Sequence, residues 1–403
     1  MIWAYISRIN ILLFMLSMIP GFYWICGLSF ARGLGRKPSP ASYFPPVSVL
    51  KPLQGDDGHL YENLQSFCNQ IYPKFQLLFG VQDSDDPAVP VVNRLIQEFP
   101  DLDITLVIGG PLIGANLKVC NLANLFRRAK HEIHVVADSD MRVTPDYLSS
   151  IVAPLEEPAV GLVTCLYKGS APAGVWSTLG AMFINEWFVP SALVGTRLEP
   201  LRHAFGATMA FRRDTLVSLG GFEAMADYLA DDYMLGWLIS CRGLRVVLSP
   251  YIVENVVVEK GFRDLFFHEL RWARTVRGLR PGQYFFSGVT HGIPLALLYL
   301  MKVGFTPLPL GVLLLYLVLR CGGRVILYRK LGLPVPWSST WLVPVRDVLT
   351  FVMWALSFLG RNVQWNGHHF QVHADGKLLL AAHDHTSSLP ATVPTEAAPL
   401  ARN

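Results

Sequence analysis

The sequence predicts an α/β domain, its parallel sheet covered on both faces, set between apolar helices at either end of the chain. Three observations predict it. Short apolar runs alternate with helix-length segments through the middle of the chain. Apolar stretches of membrane-spanning length lie on both sides of that region. Of the 403 residues, 52% are hydrophobic and only 16% charged. A water-soluble domain carries about a quarter charged residues, so the shortfall points to lipid.

The alternation runs in order. Residues 47–50, 76–81, 104–108 and 133–137 read as short buried strands. Residues 59–69, 89–98 and 116–129 between them have helical character. Ligands of such sheets bind beyond the carboxyl ends of the strands, which directs attention to the residues just after Val81 and Ala137.

The flanks come next. Residues 1–33 form an N-terminal transmembrane anchor, its apolar core at 9–31 too long for a signal peptide and without a small-x-small cleavage site before the basic stretch. Arg32, Arg36 and Lys37 follow it, against Arg8 before it. The positive-inside rule then puts the region after Arg32 in the cytoplasm. Residues 34–45 are a Pro-rich linker, and 46–282 the catalytic candidate. Residues 283–362 supply C-terminal transmembrane or interfacial helices. Within them, 289–319 exceeds one span and is interrupted by Lys302, Pro307 and Pro309, so it reads as a helix pair. Arg320, Arg324, Arg329 and Lys330 then read as a return to the cytoplasm. Residues 341–359, interrupted by Pro344, Arg346 and Asp347, either span or lie in the interface. Residues 174–194 are a lipid-lining interfacial helix or a buried core helix. Residues 363–403 are a tail, disordered from about His383, where Ala, Pro, Ser and Thr dominate.

The net charge of +4 is too mild for a nucleic-acid binder, which presents a dense basic face. The six cysteines form no CxxC pair and match no zinc spacing, so they read as reduced thiols.

Four elements carry chemistry. Asp83, Asp85 and Asp86 follow the second strand; they read as a polar turn capping the next helix, or as a pocket for a uracil and ribose. Asp138-Ser139-Asp140 follows the fourth strand. Two carboxylates at one strand end suit a hard cation, Mg²⁺ or Mn²⁺, bridging to a diphosphate. Asp231-Asp232-Tyr233 reads as a helix start favoured by the helix dipole, or as the site of a general base that deprotonates an attacking hydroxyl. The run His268-Glu269-Leu270-Arg271-Trp272 reads as part of a basic amphipathic membrane helix. Alternatively, Arg271 offers charge to a leaving diphosphate and Trp272 lines an acceptor entrance.

In this order the elements resemble the D, D, D, (Q/R)xxRW pattern of processive and lipid glycosyltransferases. The match is closer to the ceramide glucosyltransferase family, whose branch includes bacterial hopanoid glycosyltransferases. It rests on Val49-Leu-Lys51-Pro-Leu-Gln-Gly55, Val81-Gln-Asp83-Ser-Asp-Asp86-Pro-Ala, Ile108-Gly-Gly110, Asn116-Leu-Lys118-Val-Cys-Asn121-Leu, Ala137-Asp138-Ser-Asp-Met-Arg142-Val, Asp231-Asp232-Tyr233 and Arg271-Trp272, across about residues 44–282.

The resemblance implies a GT-A fold, a Rossmann-like nucleotide-sugar-binding domain. It implies donor contacts at Lys51, Asp83, Asp86, Lys118, Asn121 and Asp138, a metal at Asp138 and Asp140, and Asp232 as the catalytic base. Arg271 and Trp272 match the last motif. His268 stands where the family has Gln or Arg, and its charge varies near neutral pH. The expected reaction is inverting transfer of one sugar, glucose or N-acetylglucosamine, from a UDP-sugar to a hydroxyl of ceramide or a hopanoid. It would take place at the cytoplasmic face of a membrane, a bacterial inner membrane, in a multi-pass protein with no nucleic-acid partner. A processive polysaccharide synthase shares the motif but needs more spanning helices. A non-catalytic membrane scaffold would not keep the motif intact.

Overall fold

The computed structural model describes residues 2–34, 43–365, 368–372 and 378–380. Most of the expected linker and the segment from His383 lie outside these. The chain divides into two compact units. One comprises 1–35, 173–199 and 259–363; the other comprises 36–172, 200–258 and 364–403. Within the expected 46–282 block, residues 173–199 and 259–282 group with the first of these units.

The second unit is built on an eight-stranded sheet: β1 (Val47–Pro52), β2 (Phe75–Val81), β3 (Asp103–Ile108), β4 (Ile133–Val136), β5 (Met141–Arg142), β6 (Val160–Ser170), β7 (Met209–Arg212) and β8 (Arg245–Val256). The spatial order is β3-β2-β1-β4-β7-β6-β8-β5. The pairings among β1 to β4 are parallel, as the alternation predicts. The sheet as a whole is mixed. β7 runs antiparallel to both β4 and β6, and β5 antiparallel to β8.

β1 is buried along nearly its whole length because core lies on both faces, the usual state of a central parallel strand. Val47, Val49, Leu77, Phe79 and Val135 enter one core cluster, whereas Leu50, Leu78, Val136, Leu122 and Phe211 enter the other. The period-2 alternation of strands divides the residues in this way. The chain passes from β1 to β2 on one side and returns to β4 on the other, so a topological switch point lies at the carboxyl ends of β1 and β4. Short antiparallel strands His368–Val372 and Leu378–Leu380 form within the expected tail.

The first unit is helical. Ile11–Phe30 and Pro307–Lys330 are long and apolar enough to cross a membrane, and Pro281–Thr290 with Gly292–Val303 forms a pair bent by 63°. The expected break of the 289–319 stretch falls between Val303 and Pro307. Gly21 N–H donates to Tyr316 Oη at 3.0 Å and Trp24 Nε1 to the Leu319 carbonyl at 3.2 Å. A Cβ on Gly323 would lie 2.3 Å from Trp24 Nε1, so only glycine lets these two helices approach so closely.

Two expectations change here. Arg320 and Arg324 are buried, not flanking charges. Arg320 pairs with Asp347 at 2.7 Å and with Glu186 at 3.3 Å, and Arg324 with Glu186 at 3.3 Å. They cannot orient the chain, because their charge is cancelled inside the unit; the exposed Arg329 and Lys330 still can. Residues 341–359 hold only a 15-residue helix, Val343–Ser357, short of a span of about 20 residues. The 174–194 stretch is helical with a π-helical segment at Ile184–Phe188, and Ile184, Asn185, Glu186 and Trp187 are buried in it, the core alternative.

Candidate active site

Asp138 follows β4 at the switch point. β5 begins two residues after Ser139, so Asp138-Ser139-Asp140 is a tight turn between two strands. Lys51 braces it. Its Nζ, fully buried in β1, donates to the Asp138 carbonyl at 2.8 Å and lies 3.6 Å from the Phe67 ring centroid. Burial pulls the Lys51 ammonium down to about 7, against the pull of Asp138 and Asp140. The side chain has no open surface. Asn121 is likewise buried, its Nδ2 donating to the Gly80 carbonyl at 2.7 Å. It ties a helix to β2.

Lys118 is the second residue of the helix Leu117–Phe126, whose start is capped by Asn116 Oδ1 accepting from Val119 N–H at 3.1 Å. The same Asn116 donates through Nδ2 to the Tyr228 carbonyl at 2.8 Å. That bond ties the helix start to the chain just before Asp231. Lys118 Nζ thereby lies 2.7 Å from Asp138 Oδ1 and 3.6 Å from Asp231 Oδ2. Burial works against its charge, but Asp138 and Asp231 outweigh it and hold the ammonium above its ordinary range.

Asp231 and Asp232 open the helix Asp231–Cys241. That helix packs closely on the preceding loop, because a Cβ on Gly236 would lie 2.5 Å from His203 Cα. Asp231 is buried and Asp232 half-buried. Burial, then the Asp231 charge, pushes Asp232 up to about 6. Burial, then Asp138, does the same to Asp140, also to about 6. Asp140 Oδ2 accepts from Asn255 Nδ2 at 2.7 Å.

Gly206 shows where these carboxylates open. A Cβ there would sit 3.1 Å from Asp232 Oδ2 and 3.5 Å from Asp138 Oδ2. Two carboxylate oxygens from different elements face one space kept free by a glycine. Asp138 and Asp140, two oxygen donors on one turn, are of the kind that suits a hard divalent cation. Among the described residues no group of three or more His, Cys, Asp or Glu is preassembled as a metal cage.

Asp83 and Asp86 occupy the end of β2. Asp86 accepts from Gly55 N–H at 2.9 Å and from Ala88 N–H at 2.8 Å, which is the capping alternative. Asp83 is exposed and accepts from Asp85 N–H at 3.0 Å.

His268, Arg271 and Trp272 lie in the helical unit, at i, i+3 and i+4 of the helix Phe262–Leu279 and so on one face. Trp272 stacks on Phe183 with centroids 5.8 Å apart, and the His268 ring lies 4.2 Å from that of Trp272. Glu269 meets Arg346 through two bonds, at 2.6 and 2.7 Å, which anchors the helix. Gly206, Asn255 and Glu259 are not legible in the sequence as site residues. No motif marks them, and only folding brings the first two to the carboxylates and the third to His268.

The sheet, with its strand-end carboxylates at the switch point, is a fold of the GT-A class. The model of glycosyl transferase family 21 matches residues 12–378. The chain belongs to that family. Ceramide glucosyltransferase 1 of Caenorhabditis elegans is 28% identical over 240 residues, 59% of this chain and 50% of that protein. Ceramide glucosyltransferase 3 of the same organism is 30% identical over 229 residues, 56% of this chain and 50% of that protein. The chain thus matches about half the length of these curated relatives. Among solved structures, the mannosyltransferase PcManGT from Pyrobaculum calidifontis, in complex with GDP-Man and Mn²⁺, superimposes with a TM-score of 0.51 at 19% identity, covering 87% of this chain and 98% of that one. That likeness supports the fold alone.

Proposed function

We propose that this protein is an inverting glycosyltransferase that moves one sugar, glucose or N-acetylglucosamine, from a UDP-sugar to a lipid hydroxyl. The acceptor is ceramide or a hopanoid, and the reaction takes place at the cytoplasmic face of a membrane that the chain crosses more than once. The observation that carries the reading is the convergence of Asp138 and Asp232 on the space beside Gly206, with Lys118 between the second and third acidic elements.

Asp232 takes the proton of the attacking hydroxyl. Its position above the ordinary carboxylate range suits a general base near neutral pH. Asp138 and Asp140 would hold a divalent cation, Mn²⁺ or Mg²⁺, which supplies positive charge to the diphosphate. Lys118 holds Asp138 in place through its ion pair at 2.7 Å. Asp83 and Asp86 shape the nucleoside side of the pocket, and Lys51 and Asn121 support it from behind. The roles of Arg271 and Trp272, charge for the departing diphosphate and an apolar wall for the acceptor, come with the motif they match. The departing group needs no covalent enzyme intermediate, because a single displacement inverts the anomeric centre.

The test uses purified full-length protein in vesicles containing ceramide or a hopanoid, with radiolabelled UDP-glucose and UDP-N-acetylglucosamine. One labelled sugar on extracted lipid is expected. A labelled polymer would identify a processive synthase. No label in any product would leave a scaffold and end the proposal.

A further inference from the structure

Three arginines of the helical unit stand together without an acid to answer them. Arg274 and Arg277 lie one turn apart on the helix Phe262–Leu279. Arg274 Nη1 donates to the Asn362 carbonyl, and Arg277 Nη2 to the Gly360 carbonyl at 2.5 Å. Arg361 lies between those two residues in the chain and is exposed, so the clasp sets a third guanidinium beside the first two. Gly360 makes room for it. Its φ is 140°, and a Cβ there would lie 3.4 Å from Arg274 Nη2. Among the described residues, none of the ion pairs formed by arginine includes Arg274, Arg277 or Arg361.

Holding the 360–362 segment does not account for this. The two carbonyls are neutral and take one N–H from each of Arg274 and Arg277, and a guanidinium has more donors than that. Arg274 Nε is buried with no hydrogen-bond partner. Burial, and then Arg277, pulls Arg274 below its ordinary range. Burial does the same to Arg277, with Arg361 adding to it and Tyr284 opposing it. The helix dipole favours a cation only in the last turn, where Arg277 alone sits. Arg361 therefore adds repulsion that the fold by itself does not answer.

The neighbours of the cluster are apolar. The Arg277 guanidinium lies 5.7 Å from the centroid of the Phe358 ring. Phe358 meets Phe285 edge-on with centroids 6.3 Å apart, and Phe285 meets Phe286 at 5.5 Å. All three rings are exposed. Exposed rings beside unpaired guanidinium groups are the composition of a surface that lies in the interface of a bilayer. Phe285 and Phe286 belong to Pro281–Thr290, the first half of the bent pair. An anion suited to this surface carries its charge on a group that a guanidinium fork matches, as phosphate does, and carries apolar chains for the rings.

We infer that Arg274, Arg277 and Arg361 bind the phosphate of an anionic membrane phospholipid, with Phe285, Phe286 and Phe358 against its acyl chains. No residue of this site has a part in the transfer chemistry above.

The experiment follows lipid bound to the purified full-length protein. Detergent-solubilised protein is titrated with phosphatidylglycerol or with the zwitterionic phosphatidylcholine, and retained lipid is measured by native mass spectrometry, with Tm alongside. Wild type is expected to retain phosphatidylglycerol in preference and to gain Tm from it. R361Q is expected to bind phosphatidylglycerol about fivefold more weakly, the scale of one basic residue against an anionic lipid surface, with phosphatidylcholine retention and lipid-free Tm unchanged. The triple variant R274Q/R277Q/R361Q is expected to lose the preference. If it does not fold, R361Q decides alone, because its exposed side chain clasps no carbonyl. Inorganic phosphate and UDP are expected to displace the bound lipid poorly. Displacement by either at matched concentration would make the cluster a site for free anions and overturn the lipid assignment. Equal retention of the two lipids by wild type, or a full preference kept by R361Q, would overturn it as well.

Discussion

In the helical unit, among the described residues, three buried arginines meet three buried carboxylates: Arg320 and Arg324 with Glu186 and Asp347, and Arg346 with Glu269. At the strand ends of the sheet unit four aspartates, Asp138, Asp140, Asp231 and Asp232, share two lysines, Lys51 and Lys118. Both clusters are built from ordinary ionisable side chains, removed to different degrees from water. The first is balanced, three arginines against three acids, with Arg324 also donating to the Ser339 carbonyl and hydroxyl. The second has acid to spare, and Asp140, Asp231 and Asp232 are pushed above their ordinary range instead of being fully paired. A balanced buried cluster specifies packing. An unbalanced one retains negative charge that a cation or a proton can answer, which is what a transferase needs at a diphosphate and at an attacking hydroxyl.

The comparison can be broken from either side. The largest expected effect is on turnover. Asp232→Asn should lower sugar transfer by about 10² to 10⁴, the usual loss on removing a general base. Its Tm should hold or rise, because a crowded negative charge is gone. A fall in Tm together with activity would make Asp232 structural and erase the contrast.

In the helical unit the converse is expected. Arg346→Met leaves Glu269 buried without its partner, which costs about 3–5 kcal/mol, seen as a lower midpoint in thermal or denaturant unfolding. Replacing both partners, Arg346→Met with Glu269→Leu, should recover most of that loss, since a balanced pair exchanged for apolar groups is often neutral. Failure to recover would show that the pair does more than pack.

Chelation addresses the unbalanced cluster directly. Transfer should stop in excess chelator and return with Mn²⁺ or Mg²⁺, and Asp140→Asn should reduce turnover strongly while the protein stays folded. Full activity in chelator would show that Lys118 alone answers the carboxylates. The smallest effect is expected at Asp231, which is buried and already faces Lys118. Asp231→Asn should cost only a few-fold. If it is the inactive variant and Asp232→Asn is not, the base is one residue earlier.

The sequence by itself determined the parallel half of the sheet, because β1 to β4 are local apolar runs separated by amphipathic helices, and periodicity reports both. It also determined the acidic strand ends, since an Asp-rich turn after a buried strand is a local signal. The apolar flanks were legible for the same reason. β7 and β8 leave no comparable signal, because their pairing partners lie far away in the chain, and the antiparallel entry of β7 reverses no pattern that a sequence window can see. Whether a charge is free or cancelled was beyond the sequence altogether. Arg320 and Arg324 look like flanking charges until Glu186 and Asp347 are folded against them, and the full burial of Lys51 appears only once the sheet closes over it. Only tertiary structure decides such cases, because the energy of a charge depends on which groups, from any distance along the chain, share its few ångströms of low-dielectric space.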